Sequence, residues 1–342
     1  MNCYYYFPEG SQAKLHINLP FLTWELISND MHDFADTMHS EGYSSFVNRI
    51  VINYISSGRY PAHLNDMLES LGKETREYAI NEIKKEFDLP KEMGRKVDLN
   101  KKCLQELESI SLIIDNQKPL VAQVFDTTGL FIRAILIDYS KQRYDTRYLI
   151  YRNDLSSAIA DAIKDRYSIN VTFTDNTTSE VIPYGIESDS YRVHTYLVGL
   201  SPKTRSLKDI TLRKLSSIKR VTFGKSNTCL TKEETSAIRE VIKVNGVSFV
   251  RAQTSDFVVY LTHNGEKLYK DMAINRPRHL PQSPEEKEKH LYRFVCTKFQ
   301  IKTYFRRFGA DAVIVSPEKV RQEMLEEYRE ALRAYEEIHL EN

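Results

Sequence analysis

Residues 14–20, KLHINLP, alternate polar and apolar side chains with the two-residue period of a β-strand, which Pro20 should end. A helical pattern follows from Thr23, the expected N-cap, and a break at Gly42 separates it from a second helix. In that second helix, SSFVNRIVINYISSG, the apolar residues fall on one face and Gly58 marks the end. The pattern therefore predicts a strand, a helix, a turn and a helix at the start of the chain.

The next part of the chain, residues 61–142, has apolar residues at helical spacing, and prolines separate its segments. We expect a helical linker domain there, with no chemistry of its own. After residue 143 the pattern changes to short β-prone runs separated by turn signals, with a helical segment at 156–167. The β-prone runs are residues 147–151, 168–173, 179–184, 191–199, 206–211 and 217–223. Many short strands at this spacing indicate a small barrel or sandwich.

The composition is that of an ordinary globular protein, with 342 residues of which 41% are hydrophobic and 28% charged. The 21 Tyr and 15 Phe exclude a chain disordered throughout, because they can bury a large surface. No apolar run reaches the roughly 18 residues of a membrane span, and the start lacks the pattern of a signal peptide. The four cysteines form no zinc-binding pair, so we expect reduced thiols in a bacterial cytoplasm.

The charges nearly cancel over the whole chain, with 48 Lys and Arg against 47 Asp and Glu, but they are unevenly placed. Residues 190–225 carry nine cations and one acid, Asp209, which gives a local net charge of +8. The nine cations are Arg192, Lys203, Arg205, Lys208, Arg213, Lys214, Lys219, Arg220 and Lys225. A solvated charged face explains most isolated charge runs, yet this imbalance favours an anion-binding surface.

The geometry of a strand assigns some of these residues to one face. Residues two apart share a side, so Arg192, His194 and Tyr196 should project together. Arginine matches phosphate oxygens, and a tyrosine on the same face offers a base a flat surface for stacking. The predicted RNA-binding residues are Arg192, His194, Tyr196, Arg205, Arg213, Lys214, Lys219 and Arg220, with Arg166 in a second rank.

A further basic stripe is predicted on a helix near the C-terminus. Lys298, Lys302, Arg306 and Arg307 fall at helical spacing, and they either extend a nucleic-acid groove or form a solvated face. The last helix is acidic, with an apolar stripe that we expect to pack on its own domain or on a partner subunit.

No catalytic motif is visible in the sequence. It has no glycine-rich phosphate loop, no HExxH, no Gly-x-Ser-x-Gly and no set of kinase motifs, and its nine His are dispersed. Arg333 and His339 have the loose spacing of some helical ribonucleases, but they lie at the end of the chain, where no pocket is expected. We predict a non-enzyme that needs no cofactor and no metal.

The first elements resemble a ribbon-helix-helix module. The resemblance implies that two copies of the chain pair their strands into an antiparallel ribbon and so form a homodimer. Lys14, His16 and Asn18 would then point out of the ribbon, toward a DNA major groove in family members that bind DNA. Two other interpretations stay open, a dimerisation module without DNA binding and an ordinary edge strand.

The strand-rich region resembles a WYL domain, the small SH3- or Sm-like barrel of bacterial regulators. The matching segments are IADAIKDRYSINVTF, VIPYGI, HTYLVGL and DITLRKLSSIKRV, with Thr195 at the position of the signature tryptophan. The segment VYLTHNGEKLYKDM and the later stretch that contains FGADAVIVSPE are similar to the C-terminal extension of WYL proteins. Together the matches cover residues 145–340 and imply a barrel followed by a ferredoxin-like extension.

A ribbon-helix-helix module joined to a WYL domain and this extension is similar to the WYL accessory proteins of type VI-D CRISPR systems. The resemblance implies a dimer that binds single-stranded RNA and stimulates an RNA-guided RNA nuclease in antiviral defence. The expected fold class is α+β. The predicted domains are a ribbon-helix-helix module at 1–60, a helical linker domain at 61–142, a WYL barrel at 143–228 and a C-terminal extension for dimerisation at 229–342.

A second hypothesis assigns the same architecture a different function. It is a transcriptional regulator, in which the ribbon reads DNA and the WYL barrel senses a nucleotide or a nucleic-acid ligand. A third hypothesis is a dimeric scaffold with no affinity for nucleic acid. Binding to single-stranded RNA and binding to duplex DNA together separate the three.

Overall fold

The computed structural model describes residues 4–5, 14–34, 42–113, 119–189, 193–250, 254–273 and 276–337. Contacts between residues divide the chain into two compact units, Met1–Ser157 and Ala158–Asn342. Among the helices in these described ranges, none combines the length and the apolar character that crossing a membrane requires.

The first unit is mainly helical. Its strands are β1 (Tyr4–Tyr5), β2 (Lys14–Leu19), β3 (Met93–Asp98) and β4 (Leu112–Ile113). Its helices are α1 (Phe21–Phe34), α2 (Tyr43–Ser56), α3 (Leu64–Glu69), α4 (Lys73–Phe87), α5 (Lys101–Ile110), α6 (Leu120–Val124), α7 (Thr128–Lys141) and α8 (Tyr144–Tyr151). The division between the units falls inside α9 (Asn153–Lys164). The strands pair as two antiparallel ladders, β1 with β4 and β2 with β3.

The strand and the two helices predicted at the start of the chain are present as β2, α1 and α2, with different ends. Helix α1 begins at Phe21, whose N–H donates to the Glu92 carboxylate at 2.7 Å, so Thr23 lies buried within the helix and does not cap it. Gly42 is the N-cap of α2. Gly58, which follows α2, has a φ of +61°, a value that glycine adopts without steric cost.

The pairing of β2 differs from the prediction, because its partner is β3 of the same chain and not a second copy of β2. The register sets Lys14 opposite Asp98 and His16 opposite Lys96. The sequence predicts a wholly helical linker that includes residues 93–98, and that prediction is wrong at β3. The ribbon is therefore complete within one chain.

One hydrophobic core fills the first unit and includes both the predicted module and the predicted linker. Helices α2 and α7 supply its largest fully buried side chains, which are Phe46, Tyr54, Phe131 and Tyr139. Each such side chain contributes roughly 1.5–3 kcal/mol when it is fully buried. Because the two predicted domains share this core, neither has an apolar interior of its own.

Helix α8 occupies residues that the sequence predicted as a strand, at 147–151. The rings of Tyr144, Tyr148 and Tyr151 lie 5.2, 5.1 and 5.6 Å from the ring of Phe34. The spacing of these tyrosines places them on one face of a helix, where all three reach α1. Packing against that helix outweighs the β-propensity of tyrosine and isoleucine, which depends strongly on context.

The first sheet of the second unit is an open antiparallel sheet. Its strands are β5 (Tyr167–Phe173), β6 (Thr178–Ser188), β7 (Thr195–Leu200), β8 (Thr211–Lys214) and β9 (Ile218–Ser226). Their order is β8-β7-β6-β5-β9, so four strands form a meander and β9 returns to pair with β5. In the described residues β8 and β9 remain edges, which corrects the prediction of a closed barrel. A bulge between Pro183 and Gly185 bends the long β6, but the two edge strands do not pair.

The rest of the second unit packs helices on a second sheet. Its elements are α10 (Lys232–Asn245), β10 (Thr254–Leu261), α11 (His263–Asp271), α12 (Pro284–Glu288), β11 (Leu291–Thr297), α13 (Lys298–Phe305), β12 (Ala312–Ser316) and α14 (Glu318–Glu337). The sheet order is β11-β10-β12, all antiparallel. A ferredoxin-like β-α-β-β-α-β unit has four strands. The described residues show three of them and, between α11 and β11, an isolated antiparallel bridge from His279 to Phe294, so the ferredoxin-like extension stays a prediction. Its core is aromatic, with Phe257, Phe294 and Phe305 buried together.

Candidate nucleic-acid interface

The basic segment at 190–225 presents its charges to solvent. Eight of its nine cations lie in described residues, and all eight side chains are exposed. The ninth, Arg192, lies outside the described residues. The local charge imbalance found in the sequence is therefore a surface feature of the second unit.

Four of these cations are brought together at the turn between β8 and β9. β8 ends with Arg213 and Lys214, a 3-10 turn covers Leu215–Ser217, and Lys219 and Arg220 follow at the start of β9. We call these four cations the turn cluster. None of the four forms an ion pair with a carboxylate of the described chain within 4.0 Å, so their charge is available to an external anion.

The turn cluster has well-defined neighbours. The guanidinium of Arg213 lies 5.3 Å from the centre of the Phe173 ring, a cation–π distance. Lys219 Nζ donates to Asn176 Oδ1 at 3.0 Å. The nearby acid is Asp175, whose pKa is lowered chiefly by the hydrogen bond from the Thr177 hydroxyl and to a smaller extent by Arg213. Asp175 thus stays ionised, and the cluster keeps a clear positive excess over it.

An exposed aromatic pair lies at the opposite end of β5 and β9. The Phe223 side chain is 52% exposed and its ring centre is 5.5 Å from that of Tyr167. Arg166 directly precedes Tyr167, and Lys225 directly precedes Ser226, which pairs with Tyr167. We call the two aromatic residues, Tyr167 and Phe223, the aromatic platform. The sequence interpretation missed it, although an aromatic residue interleaved with cations in KRVTFGK is the pattern of nucleic-acid binding.

Strand β9 connects the turn cluster to the aromatic platform. It is an edge strand of nine residues, so one side of its backbone is unpaired in the sheet. Nine residues at about 3.3 Å each place its ends roughly 25 Å apart. The cations and the platform therefore line one edge, which we call the β9 edge, and its length suits several nucleotides of an extended strand.

Tyr196 does not contribute to this surface, which corrects its predicted role as a stacking platform. Its side chain is only 8% exposed and belongs to a core with Val198, Ile238 and Val247. β7 is an interior strand of the sheet, and α10 packs over its Tyr196 face. His194, just before β7, is exposed, and its ring centre lies 6.4 Å from that of Tyr196.

Arg205 is held in a structural contact. Its guanidinium donates to both carboxylate oxygens of Glu234, at 2.9 and 2.5 Å, and to the carbonyl oxygen of Cys229 at 3.1 Å. The hydrogen bond to Glu234 raises the pKa of Arg205. Glu234 also accepts from the N–H of Thr231 in the capping box of α10. The pair fixes the start of α10, so Arg205 is not a free phosphate ligand.

The predicted basic stripe faces the acidic last helix. Lys298 lies 2.6 Å from Glu323, Lys302 lies 2.6 Å from Glu327, and Arg306 also pairs with Glu327. The hydrogen bond from Lys298 lowers the pKa of Glu323. The stripe and α14 therefore neutralise one another.

The fourth residue of the stripe, Arg307, differs from the other three. Its guanidinium lies 5.2 Å from the centre of the Tyr304 ring. This contact is a cation–π interaction with a buried aromatic residue of the same unit, and it leaves no continuous basic groove along α13.

The ribbon residues lie together on one face of the β2–β3 ladder in the first unit. Lys14 and His16 are exposed and Asn18 is half-buried. A Cβ atom built on Gly94 would come within 2.3 Å of His16 Cε1 and 2.6 Å of Asn18 Oδ1. The absence of a side chain at Gly94 thus allows the two β2 side chains to lie across β3.

No group of His, Cys, Asp and Glu side chains in the described parts of the chain is arranged to hold a metal ion. The thiols of Cys103 and Cys296 are buried, and burial raises the pKa of each to about 12. A thiol with so high a pKa is a poor nucleophile at neutral pH.

Comparison with solved structures shows the fold that this chain shares with a known protein. A protein described as "Crystal structure of a CRISPR Cas-related protein" aligns with a TM-score of 0.72 at 20% identity, over 97% of this chain and 98% of that chain. The fold of the whole chain is thus similar to that of a CRISPR Cas-related protein. Proteasome accessory factor B/C of Arthrobacter aurescens aligns at a TM-score of 0.26 and 13% identity, over 93% of this chain and 49% of that one, which is too low to carry an argument. No family model and no curated protein matches the sequence.

Proposed function

We propose that this protein is a non-catalytic, CRISPR-associated accessory protein that binds single-stranded RNA along the β9 edge. The observation that carries the proposal is the turn cluster, four exposed cations with no carboxylate partner in the described chain, joined by one strand to an exposed aromatic platform. The similarity of the fold to a CRISPR Cas-related protein supports the biological setting.

The chemistry of the β9 edge favours unpaired RNA over a duplex. Cations contact the phosphates of any nucleic acid, but a stacking aromatic residue needs a base whose face is free. In an A-form duplex the bases are stacked on each other, and only the backbone and the minor-groove edges are accessible. The Tyr167–Phe223 pair would contribute nothing to binding such a duplex, so its exposure is explained best by a single strand.

The order of the strands supports a finer assignment of the second unit. A four-stranded meander whose fifth strand returns to the first, with a 3-10 turn before the fifth, supports a WYL domain of the SH3-like type. We assign the protein to the type VI-D systems on the resemblance of its sequence. In this role it delivers or retains single-stranded RNA for an RNA-guided RNA nuclease and raises the activity of that enzyme.

A homodimer built through the C-terminal sheet is part of the proposal. The outward face of that sheet carries Tyr260, Val295, Val313 and Val315, each 37–40% exposed. Tyr260 and Val313 are directly paired across β10 and β12, and exposed apolar surface that is contiguous marks interaction sites on soluble proteins. Changing Val313→Glu and Val315→Glu together should convert a dimer to a monomer in analytical ultracentrifugation, and a monomeric wild-type protein would contradict this part.

The RNA-binding proposal is tested with a labelled single-stranded RNA at several salt concentrations. A variant of the turn cluster, with Arg213, Lys214, Lys219 and Arg220 all changed to Ala, should bind about 100-fold more weakly. The slope of log affinity against log salt should fall by about 0.7 for each phosphate that is no longer neutralised, or roughly 3 in total. Unchanged affinity in this variant would reject the β9 edge.

The matched control removes the same number of charges from the same unit. Changing Lys298, Lys302, Arg306 and Arg307 to Ala should alter RNA affinity by less than about twofold, because three of these cations already pair with α14 carboxylates. In a reconstituted cleavage reaction, the wild-type protein and this control should stimulate the nuclease, and the turn-cluster variant should not. Equal stimulation by all three would separate nuclease activation from RNA binding and contradict the proposed role.

A further inference from the structure

The first unit contains a sequence repeat that becomes evident once the fold is known. Helix α2 contains FVNRIVINY at 46–54, and α7 contains FIRAILIDY at 131–139, at a constant separation of 85 residues. The strands repeat as well, with INL at 17–19 in β2 and VDL at 97–99 at the end of β3, 80 residues apart. In both copies a helix, α1 or α5, follows the strand directly.

The contacts of the two copies are reciprocal. Helix α2 packs against β3 and α5, whereas α7 packs against β2 and α1. Asn48 Nδ2 of α2 donates to the Asp98 carbonyl oxygen at 2.8 Å, and Arg133 Nε of α7 donates to the Asn18 carbonyl oxygen at 2.8 Å. The repeat makes Asn48 equivalent to Arg133 and Asp98 equivalent to Asn18. Such exchanged contacts are the mark of a two-fold interface.

The register of the ribbon gives the same symmetry independently. Around a two-fold axis one residue must pair with its own equivalent, and His16 pairs with Lys96, the residue 80 positions later. The segments β2-α1-α2 and β3-α5-α7 are therefore two halves related by a pseudo-two-fold axis inside one chain. A single chain forms the ribbon that two copies of a ribbon-helix-helix module would otherwise be needed to build.

The second of the two halves, which begins with β3, supplies the positive charge that β2 lacks. Residues 14–20 and 91–102, the ribbon and its flanks, contain six cations and two acids, a net charge of +4. All six cations are exposed: Lys14, Lys91, Arg95, Lys96, Lys101 and Lys102. Because side chains alternate along a strand, Lys96 shares the outward face with Lys14 and Asp98, whereas Arg95 lies on the other face, where its guanidinium is 4.8 Å from the centre of the Trp24 ring. The carboxylate of Glu92, one of the two acids, accepts a hydrogen bond from the N–H of Phe21 at the start of α1. The outward face of the ribbon therefore carries Lys14 and Lys96 against Asp98, and the flanking Lys91, Lys101 and Lys102 extend the positive excess that a polyanion would meet.

We propose that this face docks in the major groove of duplex DNA, that one chain provides the whole ribbon, and that the DNA footprint of each ribbon lacks two-fold symmetry. A two-stranded ribbon is one of the elements that the major groove of B-form DNA admits, whereas the major groove of duplex RNA is too deep and narrow. The lack of symmetry follows from the residues at equivalent positions, which are Lys14 and Gly94, His16 and Lys96, and Asn18 and Asp98.

The test uses the full-length protein, a random pool of labelled duplex DNA, the corresponding duplex RNA and the single-stranded RNA described above. The double variant Lys14→Ala/Lys96→Ala should bind duplex DNA about tenfold more weakly, with a salt slope smaller by about 1.8. Its affinity for single-stranded RNA should be unchanged, because that binding belongs to the β9 edge. The control Lys73→Ala/Lys84→Ala removes two exposed cations of α4 in the same unit and should have no effect on either ligand.

Sites selected from the random pool should converge on a footprint for each ribbon that has no internal palindrome, present either once or as an inverted pair bound by the two ribbons of the homodimer. A two-fold axis inside the footprint of a single ribbon would overturn the single-chain ribbon, and equal affinity for duplex RNA and duplex DNA would overturn the major-groove assignment. Duplex DNA binding that resists the ribbon variant would overturn the surface itself. Binding of single-stranded RNA tests the proposed function and should be lost only in the turn-cluster variant. Binding of duplex DNA tests the ribbon, so either proposal can fail while the other holds.

Discussion

The second unit carries two clusters of cations that look alike in the sequence and differ in their surroundings. The turn cluster faces solvent at the opposite end of β9 from the exposed aromatic platform, with Asp175 among its neighbours. The stripe on α13 faces Glu323 and Glu327 of α14 at ion-pair distance. The difference teaches that an anion-binding surface is defined by the charges packed against its cations and not by the number of those cations.

The largest expected effect is a loss of stability, and it compares Tyr196, an aromatic residue of the core, with Phe223 on the surface. Tyr196→Ala should lower the free energy of unfolding by about 3 kcal/mol, since it empties a packed site under α10. Thermal melting followed by circular dichroism measures this loss. A variant as stable as the wild type would mean that Tyr196 is not part of the core.

For Phe223→Ala we expect the opposite result from Tyr196→Ala, a loss of RNA affinity with little loss of stability. Because the ring is 52% exposed, stability should change little, but removing one stacked base costs about 1–3 kcal/mol, or roughly 5- to 150-fold in RNA affinity. Fluorescence anisotropy with single-stranded RNA measures the decrease. Leu207→Ala, which removes an exposed apolar side chain elsewhere in the same segment, is the control. Equal decreases in the two variants would count against stacking.

A smaller effect tests whether α14 masks the stripe. Glu323→Gln and Glu327→Gln together should release Lys298, Lys302 and Arg306 and raise the affinity for RNA by roughly two- to fivefold. The change should disappear at high salt, because it depends on exposed charges. The control Glu330→Gln/Glu337→Gln removes two other exposed acids of α14. If the control raises the affinity equally, net charge and not the ion pairs is responsible.

The smallest effect is the pH dependence of the same contacts. The hydrogen bond from Lys298 holds the pKa of Glu323 below its usual value, and those from Lys302 and Arg306 do the same for Glu327 against the effect of desolvation. A carboxyl group with a lowered pKa in the folded state stabilises the protein above the pKa of the unfolded chain, and this contribution is lost as the pH falls through the folded value.

The melting temperature of the wild type should therefore exceed that of the Glu323→Gln/Glu327→Gln variant at pH 7, by on the order of 2 °C. The difference should shrink as the pH falls from the range of an ordinary glutamate through the lowered pKa values of the two folded-state carboxyl groups, where they become protonated. Melting curves collected at several pH values measure this change. A difference that stays constant across the range would show that the ion pairs do not contribute to stability.

Several elements could be predicted because local patterns specify them. The alternation of β2, the apolar face of α2, the long apolar run of α7, and the strands β5, β6 and β9 all follow from the pattern of apolar residues. Strand β3 could not be found in this way. Its sequence, MGRKVD, has only one fully buried residue, Val97, and its partner lies some 80 residues away in the chain.

The candidate site was also only partly predictable. The excess of cations followed from the sequence, whereas the exposure of Arg213, Lys214, Lys219 and Arg220 is a finding of the structure. The burial of Tyr196 did not, because whether a strand lies inside a sheet or at its edge depends on the order of the strands in space. The exposure of Phe223 has the same cause, since β9 ends as an edge strand.

The sequence by itself determined where charge and apolar residues are concentrated, and so which segments form helices, strands and a basic surface. Those properties are local, because they depend on neighbours within a few residues. Only the tertiary structure decided which strand completes the ribbon, which cations face carboxylates and which aromatic rings meet solvent. Those outcomes depend on pairings between residues far apart in the chain, such as His16 with Lys96 and Lys302 with Glu327, and no single segment encodes them.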